Sequence, residues 1–270
     1  MSVPLRFAEP RRIDRVEDCF FYHKIDIPGV GAVGEQWDLR AAIDDYLGRF
    51  DFRGKRVLDV GTAGGFLTFA LEQRGAEVVS FDMADGAQWD LVPHVSMQPR
   101  LSEMLIQQRA VDQKLKNAYW FTHRRLGSKA QAFYGDIYDI PTELGPFDVA
   151  FFGMILTHLR DPFQALYSVS RLVKSHILIT NQMNTSNPLP MARFVPSPEN
   201  LDAMSWWILS EPCLRQMLAV LGFDVKRAVE SKPTCLLNDR HGPARCVCLV
   251  SDRSAGQACL PKPIVPAIAA

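Results

Sequence analysis
The residues best suited to chemistry in this chain stand together in one turn. An acidic residue is followed by small residues at every second position, Asp59, Gly61, Ala63 and Gly65, within VLDVGTAGGF. Small residues between a buried strand and a helix let backbone approach a ligand closely, and the helix start offers free N–H groups and a positive dipole end. The turn therefore predicts a site for a polar ligand. The dinucleotide fingerprint G-x-G-x-x-G needs glycine at 61, 63 and 66, but Ala63 and Phe66 stand at two of these positions, which makes a nicotinamide cofactor the weaker reading. His158 is the candidate general base, because an imidazole takes a proton near neutral pH. Its alternative role is structural, orienting the loop that follows its strand.

These residues need a rigid frame, and the chain supplies one from Lys55 onward. Apolar runs of strand length alternate with helical patterns: RVLDV (56–60), a helix over 64–74, EVVSF (77–81), a helical zone around 100–125, KAQAFY (129–134), FDVAFFG (147–153), a helix over 161–173 and SHILIT (175–180). This rhythm predicts an α/β, doubly wound, mostly parallel sheet with helices on both faces. A helix over 211–221 ends at Gly222, and FDVKRAVE (223–230) with ARCVCLV (244–250) predicts an antiparallel hairpin at the sheet edge.

Composition narrows the class further. The chain has 270 residues, with 30 basic and 30 acidic side chains, 47% hydrophobic and 22% charged, which is ordinary globular usage. Zero formal charge removes the global positive field of a general nucleic-acid binder. The start, MSVPLRFAEPRR, has no apolar core of a leader, and no run is long enough for a membrane span, so a cytoplasmic protein is expected. Six cysteines, Cys19, Cys213, Cys235, Cys246, Cys248 and Cys259, are scattered in a chain too large to need disulfides. Cys246 and Cys248 alternate along a buried strand, and no metal site is expected.

The stretch VLDVGTAGGF resembles the first motif of class I S-adenosylmethionine (SAM) methyltransferases, with alanine where the middle glycine is commonest. Asp82 follows Gly61 by twenty-one residues at the end of the next strand, where a carboxylate can accept both hydroxyls of a ribose. Met83 beside it is suited to packing on an adenine face. After the third strand, Asp136 and Ile137 resemble the element that takes the adenine amino group and a ring nitrogen, with Asp139 as a competitor for the acidic role. FDVAFFGMILTHLRDPFQAL is similar to the stretch that follows the cofactor pocket in this superfamily and contributes Gly153. The likeness spans about 56–180 and implies a seven-stranded Rossmann-like sheet, bound SAM and S-adenosylhomocysteine as product.

The flanks are expected to cover this domain. Residues 1–53 read as a helical lid with a helix over 39–50, residues 54–252 as the SAM-binding domain, and residues 253–270 as a loose tail. The Pro-rich insertion 181–207 reads as a covering loop. Tyr22, His23, Trp37 and Arg40 on one cover, and Phe194, Trp206 and Trp207 on the other, are the candidate acceptor-binding residues; the adjacent tryptophans are expected to point opposite ways.

Zero net charge and this aromatic, Met-rich insertion predict methyl transfer to an oxygen or nitrogen of a small, partly apolar molecule of specialised metabolism, with positioning and water exclusion driving the transfer. Two alternatives stand beside it. GMILTHLRDPFQAL and the WW segment also look like tRNA wobble-base (carboxy)methyltransferases, though only small basic clusters (Arg11, Arg12, Arg15; His123, Arg124, Arg125, Lys129) favour nucleic acid. A non-catalytic SAM-binding module is the other. A homodimer through the N-terminal segment or the sheet edge is left open.

Overall fold
The computed structural model describes residues 5–87, 89–183, 188–237 and 240–256. Seven strands form the central sheet: β1 (Arg56–Val60), β2 (Glu77–Met83), β3 (Gln131–Gly135), β4 (Phe147–Gly153), β5 (Val173–Asn181), β6 (Phe223–Ser231) and β7 (Cys246–Arg253). Their order is β3-β2-β1-β4-β5-β7-β6. β7 runs antiparallel to both neighbours, and every other pairing is parallel. The order reverses between β1 and β4, so loops leaving those strands diverge and open a crevice at their carboxyl ends.

The helices follow from the same sequence signals. They are α1 (Ile43–Tyr46), α2 (Phe66–Gln73), α3 (Leu101–Leu126), α4 (Pro162–Ser170) and α5 (Glu211–Val220). Asp161 caps α4 by accepting the Gln164 N–H at 2.9 Å, and Pro162 occupies the first turn, where a missing N–H does no harm. Side chains alternate across the sheet: Val149 and Phe151 of β4 enter the core shared with α2 and α3, while Ala150 and Phe152 enter the core shared with α4 and α5. Cys246 and Cys248 face the first core and Val247 and Leu249 the second, which accounts for the C-x-C spacing as strand alternation. Among the described residues no group of three His, Cys, Asp or Glu could hold a metal ion, and no helix is long and apolar enough to cross a membrane.

Three expectations need correction. The N-terminal cover is mostly extended: Ile25–Ile27 pairs antiparallel with Gly31–Val33, and the helix expected over 39–50 shrinks to one turn, Arg40–Ala42, followed by α1. Glycines 29, 31 and 34 all adopt positive φ, which breaks any helical run and makes the hairpin turn. β7 continues through Arg253, so the tail begins later than expected; Cys259 and residues 257–270 lie outside the described residues. The insertion is not all loop, since Ala192–Phe194 pairs with Trp207–Leu209. A further hairpin, Thr234–Leu237 with Arg240–Pro243, extends between β6 and β7 and pairs with Trp37–Asp38 of the N-terminal segment.

Candidate functional site
The small-residue turn leaves β1 at the reversal of strand order. Gly61, Ala63 and Gly65 all take left-handed backbone, with φ of 79°, 48° and 87°. A Cβ on Gly65 would lie 2.6 Å from the Phe69 ring and 2.7 Å from Tyr119, so a side chain there has no room. Ala63 is the exception among these residues because its strain is offset: its N–H donates to Asp82 Oδ2 at 2.7 Å, a charge-assisted bond. Gly61 and Thr62 N–H groups both reach the Phe81 carbonyl, fixing the turn to the end of β2.

Below the turn lies a buried polar chain centred on Asp59. Thr68 Oγ1 donates to Asp59 Oδ2 at 2.6 Å, which uses its single proton. Thr62 and Ser80, each 2.7 Å from Thr68 Oγ1, must therefore donate to it, and Tyr119 must donate to Ser80 at 2.9 Å. Every proton in the chain points toward Asp59, yet Asp59 Oδ1 has no partner among the described residues. Burial raises the Asp59 carboxyl to about 6, against the lowering pull of the threonine hydrogen bonds.

This carboxyl binds its proton more tightly folded than unfolded, so its contribution is complete below the ordinary value of 3.8 and is lost as pH rises through about 6. Asp59→Asn is therefore expected to be more stable than the parent at pH 8 by on the order of 2–3 kcal/mol, with the gap closing toward pH 4. Thermal melts at the two pH values check this; a gap that does not widen with pH would refute it.

Asp82 ends β2 and is held from two sides, its other oxygen accepting the Met83 N–H at 2.7 Å. Burial raises its carboxyl above the ordinary range, opposed by these two backbone hydrogen bonds. Behind it stands Lys116, a residue the sequence reading overlooked. Its buried ammonium donates to the Met83 carbonyl at 2.8 Å and pairs with Asp85 at 2.9 Å and Asp112 at 3.1 Å, so it fixes the strand end from α3. The Asp112–Lys116 spacing of four residues on one helix was the available signal.

Asp136 is exposed after β3, and its Oδ1 caps the short turn Ile137–Asp139 by accepting the Tyr138 N–H; Ile137 packs against the sheet core. Asp139 pairs with Arg171 at 3.6 Å on the far side of that turn. Gly153 ends β4, where a Cβ would lie 2.4 Å from Leu67 of α2.

The two covers meet these strand ends. In the N-terminal cover the His23 ring stacks on Phe66, at 5.6 Å and 29°, and Tyr22 accepts a hydrogen bond from Trp37 Nε1 at 3.0 Å. Arg40 is held by Asp38 and Asp26, with four donor contacts between 2.8 and 2.9 Å, and so fixes the hairpin to the chain that follows. In the insertion, Trp206 is buried with Nε1 on the Asp90 carbonyl at 2.5 Å, while Trp207 is partly buried against the core shared with α4 and α5, with Nε1 on the Arg160 carbonyl at 3.0 Å. Phe194 lies between them in ring contact and is half exposed.

His158 joins the insertion to the turn after β4: its Nδ1 lies 2.9 Å from the Met204 carbonyl and must donate to it, and burial lowers its basicity. Asp90, which no sequence pattern marked, gathers three loops. Its carboxylate accepts from Tyr138 Oη, from the Arg160 N–H at 3.0 Å and from the Arg160 guanidinium at 2.9 Å, and its carbonyl takes Trp206.

A family model described as a methyltransferase domain matches residues 35–227. The chain belongs to the methyltransferase-domain family. The methyltransferase fold is matched by a SAM-dependent methyltransferase from Aquifex aeolicus, 18% identical, covering 80% of this chain and 92% of that one with a TM-score of 0.50. Also similar are magnesium protoporphyrin IX methyltransferase from Synechocystis PCC 6803 (14% identity, 77% and 78% coverage, TM-score 0.48) and 1,6-didemethyltoxoflavin-N1-methyltransferase from Burkholderia thailandensis (16%, 78% and 75%, 0.47). No curated protein sequence matches the chain. Family and strand order together bear out the expectation of a SAM-dependent methyltransferase on a Rossmann-like sheet.

Proposed function
We propose that this methyltransferase transfers the methyl group of SAM to an oxygen or nitrogen of a small, partly apolar acceptor, with residues 1–53 and 181–207 covering a domain of residues 54–252. The observation that carries the reading is the pair of aromatic covers drawn over one crevice. His23 reaches the start of α2 from one side, with Tyr22 against its ring and bonded to Trp37, and the insertion is fastened to the turn after β4 and, through Trp206 and Asp90, to the loop after β2.

The residues present fit SAM. Gly61 and Gly65 let the left-handed turn pack tightly against Ile155, Phe69 and Tyr119 at the end of β1, Asp59 Oδ1 is a buried acceptor without a partner among the described residues, and each Asp82 oxygen keeps a lone pair beyond its backbone bond. In this reading Asp59, Gly61, Ala63 and Gly65 cradle the amino-acid end, Asp82 holds the ribose, and Met83, Asp136 and Ile137 border the adenine, with Gly153 letting Leu67 of α2 pack against the end of β4. Bound SAM supplies an already activated methyl group, so the chain needs no covalent nucleophile. Its task is to orient the acceptor in line and to exclude water. His158 and Asp90 do this indirectly, by fixing the insertion; Arg40 does so by fixing the hairpin that carries His23; Phe194, Trp206 and Trp207 supply the apolar wall.

Most arginines of the basic clusters are already paired, Arg11 with Asp85, Arg12 and Arg124 with Asp14, and Arg15 with Glu17 and Asp18, while Arg125 lies on the Phe121 ring, which supports the small-molecule choice. Incubation with methyl-labelled SAM and a cell extract split into small-molecule and RNA fractions tests the proposal. Label is expected in small molecules. Label confined to RNA would favour a wobble-base modifier, and SAM binding without transfer to any fraction would favour a binding module.

A further inference from the structure
Of the chain's six histidines, five have a ring nitrogen on a polar partner. His94 reaches the Asp202 carbonyl at 3.3 Å, His123 that of Ala130 at 2.9 Å, His158 that of Met204 at 2.9 Å, His241 that of Glu35 at 3.0 Å, and His176 lies 3.4 Å from the Asp252 carboxylate. His23 differs. Among the described residues its ring has no hydrogen-bond or ion-pair partner, and its Nδ1 is buried. A buried polar atom left without a partner is costly, and sites that receive a ligand are where folds retain such atoms.

The position of this ring is as unusual as its isolation. It lies on Phe66, the first residue of α2, immediately beyond Gly65 and the turn that leaves β1. Tyr22 meets it edge-on at 4.9 Å, and the Tyr22 hydroxyl is already occupied by Trp37. Across the chain, Gly34 makes the approach possible, since a Cβ there would lie 2.3 Å from the His23 carbonyl oxygen. Packing from three elements thus holds an imidazole beside the start of α2 without satisfying its Nδ1.

We propose that His23 Nδ1 is the base that takes the proton of a hydroxyl acceptor, an assignment that rests on the methyl-transfer reading above. The acceptor oxygen forms its bond to the methyl carbon as the carbon–sulfur bond of SAM breaks, and the hydroxyl proton passes to Nδ1. Atoms and electrons balance without a further reactant. The positive charge lost at sulfur reappears on the imidazole, so the net charge of the covered crevice stays constant, which a poorly solvated site requires. A neutral amine needs no such partner to attack, whereas a hydroxyl does, and this points to oxygen as the methylated atom.

Burial lowers the ring to about 4, so it is neutral at physiological pH; the same burial makes it a weak base, so transfer relies on the sulfonium charge being lost as the imidazolium forms. Tyr22 meets the ring and Cys235 stands opposite Trp37 in the sheet pairing; burial raises both, so they stay uncharged. His158 cannot fill the same role through Nδ1, which the Met204 carbonyl holds.

The test compares the parent with His23→Gln and with His23→Phe, which keeps the ring stack. S-adenosylhomocysteine binding is measured by calorimetry, the His23 ring is titrated by NMR, and label transfer is followed into the small-molecule extract fraction. Expected are binding within about threefold of the parent in both variants, transfer reduced about 100- to 10,000-fold, methyl found on oxygen, and a ring titrating below about pH 5. Turnover within about tenfold of the parent, methyl on nitrogen, a ring still protonated at neutral pH, or loss of binding in both variants would each overturn the assignment while leaving the methyl-transfer reading intact. A parent that binds but labels nothing overturns that reading, and this one with it.

Discussion
Asp82→Ala is expected to abolish measurable SAM binding, weakening it about 100- to 10,000-fold. The carboxylate has two duties. It accepts the Ala63 and Met83 N–H groups, both at 2.7 Å, and in the proposed complex it also accepts two ribose hydroxyls. Two hydrogen bonds to a charged group contribute roughly 3–6 kcal/mol together, which gives the stated range. Losing the first duty compounds the loss of the second, because Ala63 holds a left-handed φ of 48° that its bond to Asp82 offsets. Asp82→Asn separates the two duties, since an amide oxygen keeps one acceptor without the charge, and should fall between the parent and the alanine variant. Calorimetric titration with SAM decides: an alanine variant within about threefold of the parent would remove Asp82 from the site.

Gly34→Val is expected to cut methyl transfer by about 100-fold or more while SAM binding stays within about threefold of the parent. Gly34 has φ of 91°, and an added Cβ would meet the His23 carbonyl oxygen at 2.3 Å, its carbon at 2.8 Å and the Phe21 carbonyl oxygen at 2.9 Å. All three are backbone atoms, so no rotamer change relieves the clash. The chain must separate where Trp37 N–H meets the Tyr22 carbonyl and Lys24 N–H meets the Trp37 carbonyl, and His23 moves with it. Displacements of about 1 Å around reacting atoms cost rate on this scale, whereas Asp59, Asp82 and the turn after β1 are untouched. Limited proteolysis should show faster cleavage in the N-terminal segment. Equal loss of SAM binding and turnover would instead mean that this segment supports the cofactor end.

The sheet and the turn were legible because each is a local pattern: continuous apolar runs for β1, β4 and β5, and small residues at alternate positions where backbone must turn left-handed. The covers were not legible, since their structure comes from pairings distant in sequence. Trp37 finds Cys235 across about two hundred residues, and nothing in either segment alone announces the partner. Lys116 and Asp90 were missed for a related reason. A buried lysine reads as surface until its three oxygen partners are assembled from different segments, and Asp90 gains its importance only because Tyr138, Arg160 and Trp206 converge on it. His23 was visible as a candidate, but its isolation from polar partners is a property of the folded chain alone.

The pairing of Trp37–Asp38 with Thr234–Cys235 also bears on how the molecule is made. Synthesis runs from the amino end, so residues 5–53 leave the ribosome long before residues 234–253 exist. β1 to β5 can collapse onto α2, α3 and α4 meanwhile, with the turn at Gly61 already shaped. The segment around Trp37 must wait for the hairpin of residues 234–243 before it can complete its pairing. A nascent chain stalled before residue 234 should therefore hold SAM yet leave His23 unseated, and catalytic competence should arrive only once residues 234–253 have emerged.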